Sequence, residues 1–233
     1  MDFEVVHIHE TDSTNRWLRE HGVGQMAVWA DYQTAGRGCG TNTWESERGQ
    51  NLLLSLLIHP QGIAASQQFF ISMAISVALV RMLSLYIKKG VSIKWPNDIY
   101  VDDRKICGIL IENRLSGTQI RESIIGVGLN LNQTRFLSDA PNPVSLRMLI
   151  GKTVNREECL HQTLEAFSLD ALDQQADYYR AHLYRREGFY SYRDRNGDFD
   201  AELVGVVDDG HLLLRDREGQ QRRYAFKEVN FIL

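Results

Sequence analysis

Proline is scarce in this sequence, with 4 in 233 residues, and cysteine scarcer still, with 3. The cysteines, Cys39, Cys107 and Cys159, are odd in number, widely spaced and without a CxxC pair. That reads as a reducing cytoplasm, with no disulfide framework and no zinc site. Positive charge is not in excess. Lys and Arg number 26 against 30 Asp and Glu, for a net charge of -4 and a pI near 6.0. This balance argues against general binding to nucleic acid or to an anionic membrane. The start, MDFEVVHIHE, is acidic and too poor in apolar residues for a signal peptide. No apolar run reads as a membrane span, and no internal repeat or low-complexity segment is visible. What is present, 43% hydrophobic and 24% charged residues, suffices for one domain with an accessory or for two small ones.

Helices and strands alternate through most of the chain. Asp12 or Ser13 can cap a short helix from about Thr14 to His21, which Gly22 can end. Met26 to Tyr32 reads as a strand. Leu52 to Ile58 is almost continuously apolar, as in a strand buried on both faces. From Ser66 to Lys89 apolar residues recur at helical spacing, closed by Gly90. Ile93 to Trp95 and Lys105 to Glu112 read as strands. Asn155 and Glu158 form a capping-box pattern before a helix that packs Leu160, Leu164 and Phe167. After about Arg186 the character changes. Ala201 to Val207, His211 to Leu214, Gln220 to Phe226 and Val229 to Leu233 are short strands, with turns at DDG and DREG. The expected fold class is an α/β (α+β) domain followed by a small β-barrel.

Three stretches carry chemistry. The strand SIIGVGLNLN, Ser123 to Asn132, puts Ile125, Val127, Leu129 and Leu131 on one face and Gly126, Gly128, Asn130 and Asn132 on the other. Glycine inside a strand marks close approach by a ligand or another backbone, although tight helix packing or a bulge gives the same pattern. The segment YQTAGRGCGTNTWES, Tyr32 to Ser46, has neither the GK[ST] of a P-loop nor a helix opened by its GxG. It is either a mobile surface loop or a cradle whose N–H groups and Arg37 meet an anion, with Trp44 as the anchor that packs it. In KWPNDIYVDDRKICG, Lys94 points away from the face of Ile93 and Trp95, and Pro96 ends the strand. Lys105 lies three residues before Gly108, which suits a carboxylate or phosphate. Taken singly, either lysine reads first as a solvated surface charge. His7 and His9 alternate on a strand-like start with no further ligands at metal-site spacing, so they read as surface histidines and no metal site is assigned.

TDSTN, YQTAGRGCGTNTW, KWPNDIYVDDRKICGIL and GVGLNLN, in this order, closely resemble the catalytic region of biotin protein ligases from about Thr11 to Asn132, with a weaker match over the C-terminal strands. KWPND followed by RKxxGIL is the most specific element. The resemblance implies a mixed sheet flanked by helices and then an SH3-like barrel, with a catalytic domain over 1–186 and the barrel over 187–233. It implies that Ser13, Thr14 and Asn15 border the biotin pocket and that Gln33 lines it. It places Gly36 and Arg37 at the start of a ligand-ordered loop, with Arg37 on the reacting carboxylate and phosphate. Lys105 becomes the adenylation lysine, Gly108 a backbone contact beside biotin, and Trp44 and Asn130 residues of the adenylate side. Biotin and ATP are the implied substrates, with Mg2+ accompanying ATP. A biotin carboxyl carrier protein of a carboxylase is the implied partner.

The same resemblance carries further expectations. They are a cytoplasmic monomer or homodimer, no membrane, and no DNA partner, because the chain starts just before TDSTN. Two departures stand out. Cys39 replaces a usual basic or polar residue, and Thr41 stands where the later glycine falls, which implies weaker retention of the adenylate. Three rivals remain open: a lipoate or octanoate transferase, a non-catalytic biotin sensor or transcriptional regulator, and an inert interaction domain. The glycine face has no evident use in the last of these.

Overall fold

The computed structural model describes residues 1–137 and 142–232. Strand β1 (Glu4–Thr11) runs parallel to β2 (Met26–Gln33), and helix α1 (Thr14–His21) connects them. Next come β3 (Leu52–Ile58), helix α2 (Phe69–Ser84), β4 (Val91–Lys94), β5 (Asp98–Val101), β6 (Arg104–Ser116) and β7 (Gln119–Leu129). These strands form one seven-stranded sheet in the order β1-β2-β3-β7-β6-β5-β4, antiparallel except at β1–β2. Helices α3 (Leu146–Ile150), α4 (Arg156–Ala166) and α5 (Leu172–Ala181) follow.

Alternation along β3 separates the two layers. Leu52, Leu54, Leu56 and Ile58 pack with α2, while Leu57 joins Leu18 of α1 on the other face. Helix α2 is covered by the sheet on one side and by α4 and α5 on the other, which explains its burial almost all round. The segment Ala65–Ser84 does reach the length and apolarity of a membrane span, contrary to the reading of the sequence, but 67% of that window is buried and it serves as the core helix. It ends at Ser84 rather than near Gly90. Leu85 and Tyr86 donate to the carbonyls of Met82 and Leu83, tightening the last turn. Asn155 accepts from the N–H groups of Glu157 and Glu158, which makes the N-cap half of the expected box, while Glu158 Oε1 accepts from Gln162 instead. Ser13 makes no side-chain cap on α1; the side chain of Gln33 accepts from Thr14 N instead, at 2.8 Å.

The C-terminal strands are β8 (Phe189–Asp194), β9 (Gly197–Val206), β10 (Leu212–Asp216), β11 (Gln221–Tyr224) and β12 (Asn230–Phe231). They form an antiparallel sheet in the order β11-β10-β9-β8-β12 that is barrel-like but not closed. Two of them are shorter than expected: β11 stops before Phe226, and β12 covers two residues, with Leu233 outside the described residues. This sheet is joined to the first by more than the chain. Trp95 Nε1 donates to the carbonyl of Gly210 at 2.8 Å, and a Cβ on Gly210 would lie 2.8 Å from the ring of Phe69. One apolar cluster runs from Leu54 through Phe69 to Tyr192 and Leu212.

Candidate functional site

The α1 side of the sheet holds a depression where side chains are missing. Gly108 and Gly128 pair directly across β6 and β7, and Gly126 pairs with Ser55 of β3. Ile125, Val127 and Leu129 enter the core on the opposite face, as alternation along the strand predicts. Both glycine positions of β7 are closely approached. A Cβ on Gly126 would lie 2.4 Å from Asn15 Oδ1, and one on Gly128 would lie 2.4 Å from Trp44 Cε2. A Cβ on Gly108 would lie 2.9 Å from the same indole. The sequence reading of Trp44 as the anchor of its loop is thus realised on the glycines. The indole Nε1 is buried without a partner. We expect Gly128→Ala to push the indole off the sheet, because the ring sits on a loop and can yield. The variant should shift tryptophan fluorescence to the red with little change in melting temperature. An unshifted spectrum, judged against Trp44→Ala, would show that the ring does not rest there.

The loop itself is a hairpin-like turn. Gly38 N donates to Asn42 O at 2.8 Å and Trp44 N to Gly36 O at 3.0 Å. Gly36 lies so close to the Trp44 carbonyl that a Cβ would approach it to 2.6 Å. At the tip, Asn97 Nδ2 donates to Cys39 Sγ at 3.0 Å, and burial pushes the Cys39 thiol pKa up. Gly40 has φ 71, and Lys227 Nζ, from the turn between β11 and β12, lies 2.6 Å from where its Cβ would be.

A cavity of about 930 Å³ opens between this loop, the glycine face, β4–β5 and the β11–β12 turn. One end is polar and buried. Gln33 Oε1 accepts from Thr14 N at 2.8 Å and lies 3.0 Å from Thr14 Oγ1. Ser55 Oγ lies 2.7 Å from Thr14 Oγ1 and 2.6 Å from Asn15 Oδ1. The two hydroxyls bring one proton each to these three side-chain contacts, so one acceptor site is left over. Asn15 Nδ2 donates to Glu112 Oε2 at 2.9 Å, and Glu112 Oε1 lies 2.8 Å from Arg19 and 3.2 Å from Arg37. Burial raises the Glu112 pKa, but the bonds from Asn15 and Arg19 and the nearby guanidinium charges outweigh it and hold the carboxyl below its ordinary range.

The other end is cationic. Arg37, Lys94, Lys105 and Lys227 line the cavity against two carboxylates, Glu45 and Asp98, in a chain whose net charge is -4. Lys105 Nζ lies 2.7 Å from Asp98 Oδ1 and 5.8 Å from the Trp44 ring. Lys94 Nζ lies 3.1 Å from the Tyr100 hydroxyl, and burial lowers its pKa. Asn130 donates to Val144 O at 3.2 Å, while its Oδ1 is buried with no partner.

Of the residues singled out in the sequence, Ser13, Thr14, Asn15, Gln33, Arg37, Trp44, Lys105, Gly108 and Asn130 all line this one cavity. Gly36 lies behind it, under Trp44. The sequence reading passes over Ser55, Glu112 and Lys227. The polar residue in LLLSLLI was the one available signal for Ser55. Glu112 and Lys227 carry none, because their neighbours come from distant segments.

Comparison with known proteins bears on this site. The sequence profile of the Biotin/lipoate A/B protein ligase family matches residues 7–130. The chain is 30% identical over 210 residues to the bifunctional ligase/repressor BirA of Bacillus spizizenii, covering 85% of this chain and 64% of that protein's length. It is 30% identical over 239 residues to a biotin–[acetyl-CoA-carboxylase] ligase of Paracoccus denitrificans, covering 91% of this chain and 94% of that one. The biotin protein ligase of Aquifex aeolicus, solved in complex with biotin and ATP, has the same fold: TM-score 0.81 at 24% identity over 97% of each chain.

Proposed function

Because the chain belongs to the biotin/lipoate A/B protein ligase family, we propose that it activates biotin with ATP to biotinyl-5'-AMP and transfers the biotinyl group to a lysine of a biotin carboxyl carrier protein. The observation that carries this reading is the polarity of the cavity, with a buried, proton-deficient chain of polar side chains at one end and cations at the other. A ureido ring offers an N–H donor to the acceptor left over in this chain, such as Asn15 Oδ1. The apolar tail of a lipoyl or octanoyl group offers none, so this end favours biotin. In the activation step a carboxylate oxygen bonds to the α-phosphorus and the bond to the departing pyrophosphate breaks. In the transfer step a lysine nitrogen bonds to the acyl carbon, AMP leaves, and the amine loses a proton.

Lys105 is assigned to the reacting anions. Its ammonium has three donors, and one on Asp98 leaves two for carboxylate and phosphate oxygens. Arg37 uses one arm on Glu112 and keeps the rest of its fork. Fixed donors of this kind stabilise charge that grows in the transition state. The orphaned Oδ1 of Asn130 suits the amino group of adenine, and the Trp44 indole suits its face. Ser13 and the backbone at Gly36 and Gly108 complete the assignment. Mg2+ would neutralise the departing pyrophosphate. The few lining carboxylates, Asp98 and Glu45, fit an ion held mainly by phosphate and water oxygens. The division into a catalytic unit, 1–186, and a barrel-like unit, 187–233, with the cavity between them, belongs to the same reading.

Biotin-dependent exchange of labelled pyrophosphate into ATP tests the proposal without the carrier. Exchange with biotin and none with lipoate or octanoate is expected; the reverse preference would sink it. The expectation that Cys39 leaves the loop short of positive charge also takes a new form, since Lys227 brings an ammonium to the loop tip from the other sheet. Lys227→Ala is expected to speed escape of biotinyl-AMP, measured in a single turnover without carrier. A charged contact of about 1.5–3 kcal/mol corresponds to roughly tenfold or more. Unchanged release would leave Lys227 a surface residue.

A further inference from the structure

The two histidines of the first strand acquire a partner that chain spacing conceals. His7 and His9 project from the same face of β1, and Asp31 lies on β2 with its carboxylate between them. His7 Nε2 is 3.0 Å from Asp31 Oδ1, and His9 Nδ1 is 3.0 Å from Asp31 Oδ2. The ligand atoms of all three lie within 4.8 Å of one another. We propose that His7, His9 and Asp31 form a binding site for a divalent transition metal of the zinc type, separate from the cavity and with its remaining coordination position open to solvent.

The donor set selects the ion. Two imidazoles and one carboxylate suit zinc, copper or nickel, and disfavour magnesium or calcium, which prefer oxygen alone. Tetrahedral zinc with bonds of about 2.0–2.2 Å needs ligand atoms about 3.3 Å apart. Each histidine nitrogen lies 3.0 Å from its own carboxylate oxygen, so for an ion held by one oxygen one pair is near that already. The wider remaining gap is closed by His9, whose side chain is 89% exposed and free to swing.

The surroundings hold the other two ligands in place. Arg156 donates to Asp31 Oδ1, the oxygen nearest His7, at 2.7 Å, so the carboxylate is held in orientation, as ligating carboxylates commonly are. The ring of His7 stacks on buried Trp29 with centroids 4.0 Å apart, and Arg156 covers Trp29 at 5.0 Å. Strand β1 is an edge of the seven-stranded sheet and is paired only with β2. A bound ion would fasten this outer strand to its neighbour. Cation repulsion from Arg156 opposes binding, which places the site among modest, exchangeable ones.

The test uses the full chain, stripped with chelator, then titrated calorimetrically with Zn2+ and optically with Co2+. The expected result is one saturable site. Co2+ should give the visible absorption of a low-coordinate complex. His9→Ala should weaken binding at least tenfold, and His7→Ala should do the same. Zn2+ should raise the melting temperature of the native chain and leave that of His9→Ala unmoved. No saturable binding, or equal binding by the native chain and both variants, would overturn the proposal. The readout is independent of ligase activity, so the two readings stand or fall separately.

Discussion

Lys105→Ala is expected to slow biotin-dependent pyrophosphate exchange by about a hundredfold or more, corresponding to roughly 3 kcal/mol of lost transition-state stabilisation. The fold should tolerate the change. Lys105 is held in β6 by its backbone, donating from N to Asn142 O and accepting at O from Val144 N, both at 2.9 Å, and those bonds survive loss of the side chain. The damage is local and twofold. The cavity loses one cation, and Asp98, which pairs with Lys105 at 2.7 Å, loses its ion-pair partner where two anions must meet. The double variant Lys105→Ala/Asp98→Asn should therefore recover part of the loss. Near-normal exchange by the single variant would remove Lys105 from the chemistry.

Glu112→Gln should cost about 2 kcal/mol, roughly thirtyfold in kcat/KM for biotin, in line with losing charge-assisted hydrogen bonds. The variant keeps the shape of the side chain, but its amide gives one acceptor where the carboxylate served Asn15, Arg19 and Arg37. Release of Asn15 should raise the KM for biotin, and release of Arg37 should lower kcat. Arg19→Ala, which removes the partner farthest from the cavity, should change neither much. Acid stability gives a second readout. The folded-state pKa of Glu112 is depressed, so its contribution is present above the unfolded value and lost as pH falls through the folded one. Glu112→Gln should lack that acid-side loss. Unaltered KM, kcat and acid stability together would mean that Glu112 is only a surface neighbour.

The parts of this molecule that could be read from sequence are those in which cause and effect lie close along the chain. The two faces of β7 follow from alternation, and the buried character of β3 follows from its unbroken apolar run. The paired bare patch at Gly108 and Gly128 depends on register between strands, which neither segment encodes alone. Helix α3 is too short for periodicity, and α5, LDQQADYYRA, is too polar for it to show. Strand β8 had a signal, the Asn196-Gly197 turn that follows it. The motifs bring their residues to one cavity, whereas Lys227 reaches it from a turn of the other sheet, and Ser55 and Glu112 meet Asn15 from separate strands. Asp31 was invisible beside His7 and His9 for the same reason.

The bond from Trp95 to Gly210 has a consequence for how such a protein can be inherited. Trp95 stands between Lys94 and Pro96 in the segment that walls the cavity, yet its indole N–H is satisfied by a carbonyl of the other sheet. If the C-terminal strands were removed, the indole would lose its acceptor and the Phe69 ring its cover. The segment carrying Lys94, Asn97 and Asp98 would then have to settle elsewhere. Recombination that shuffled the two sheets between lineages would have to exchange a matched tryptophan, phenylalanine and glycine turn at once. A C-terminal sheet taken from another lineage would have to bring its own carbonyl to Trp95 and its own cover to Phe69.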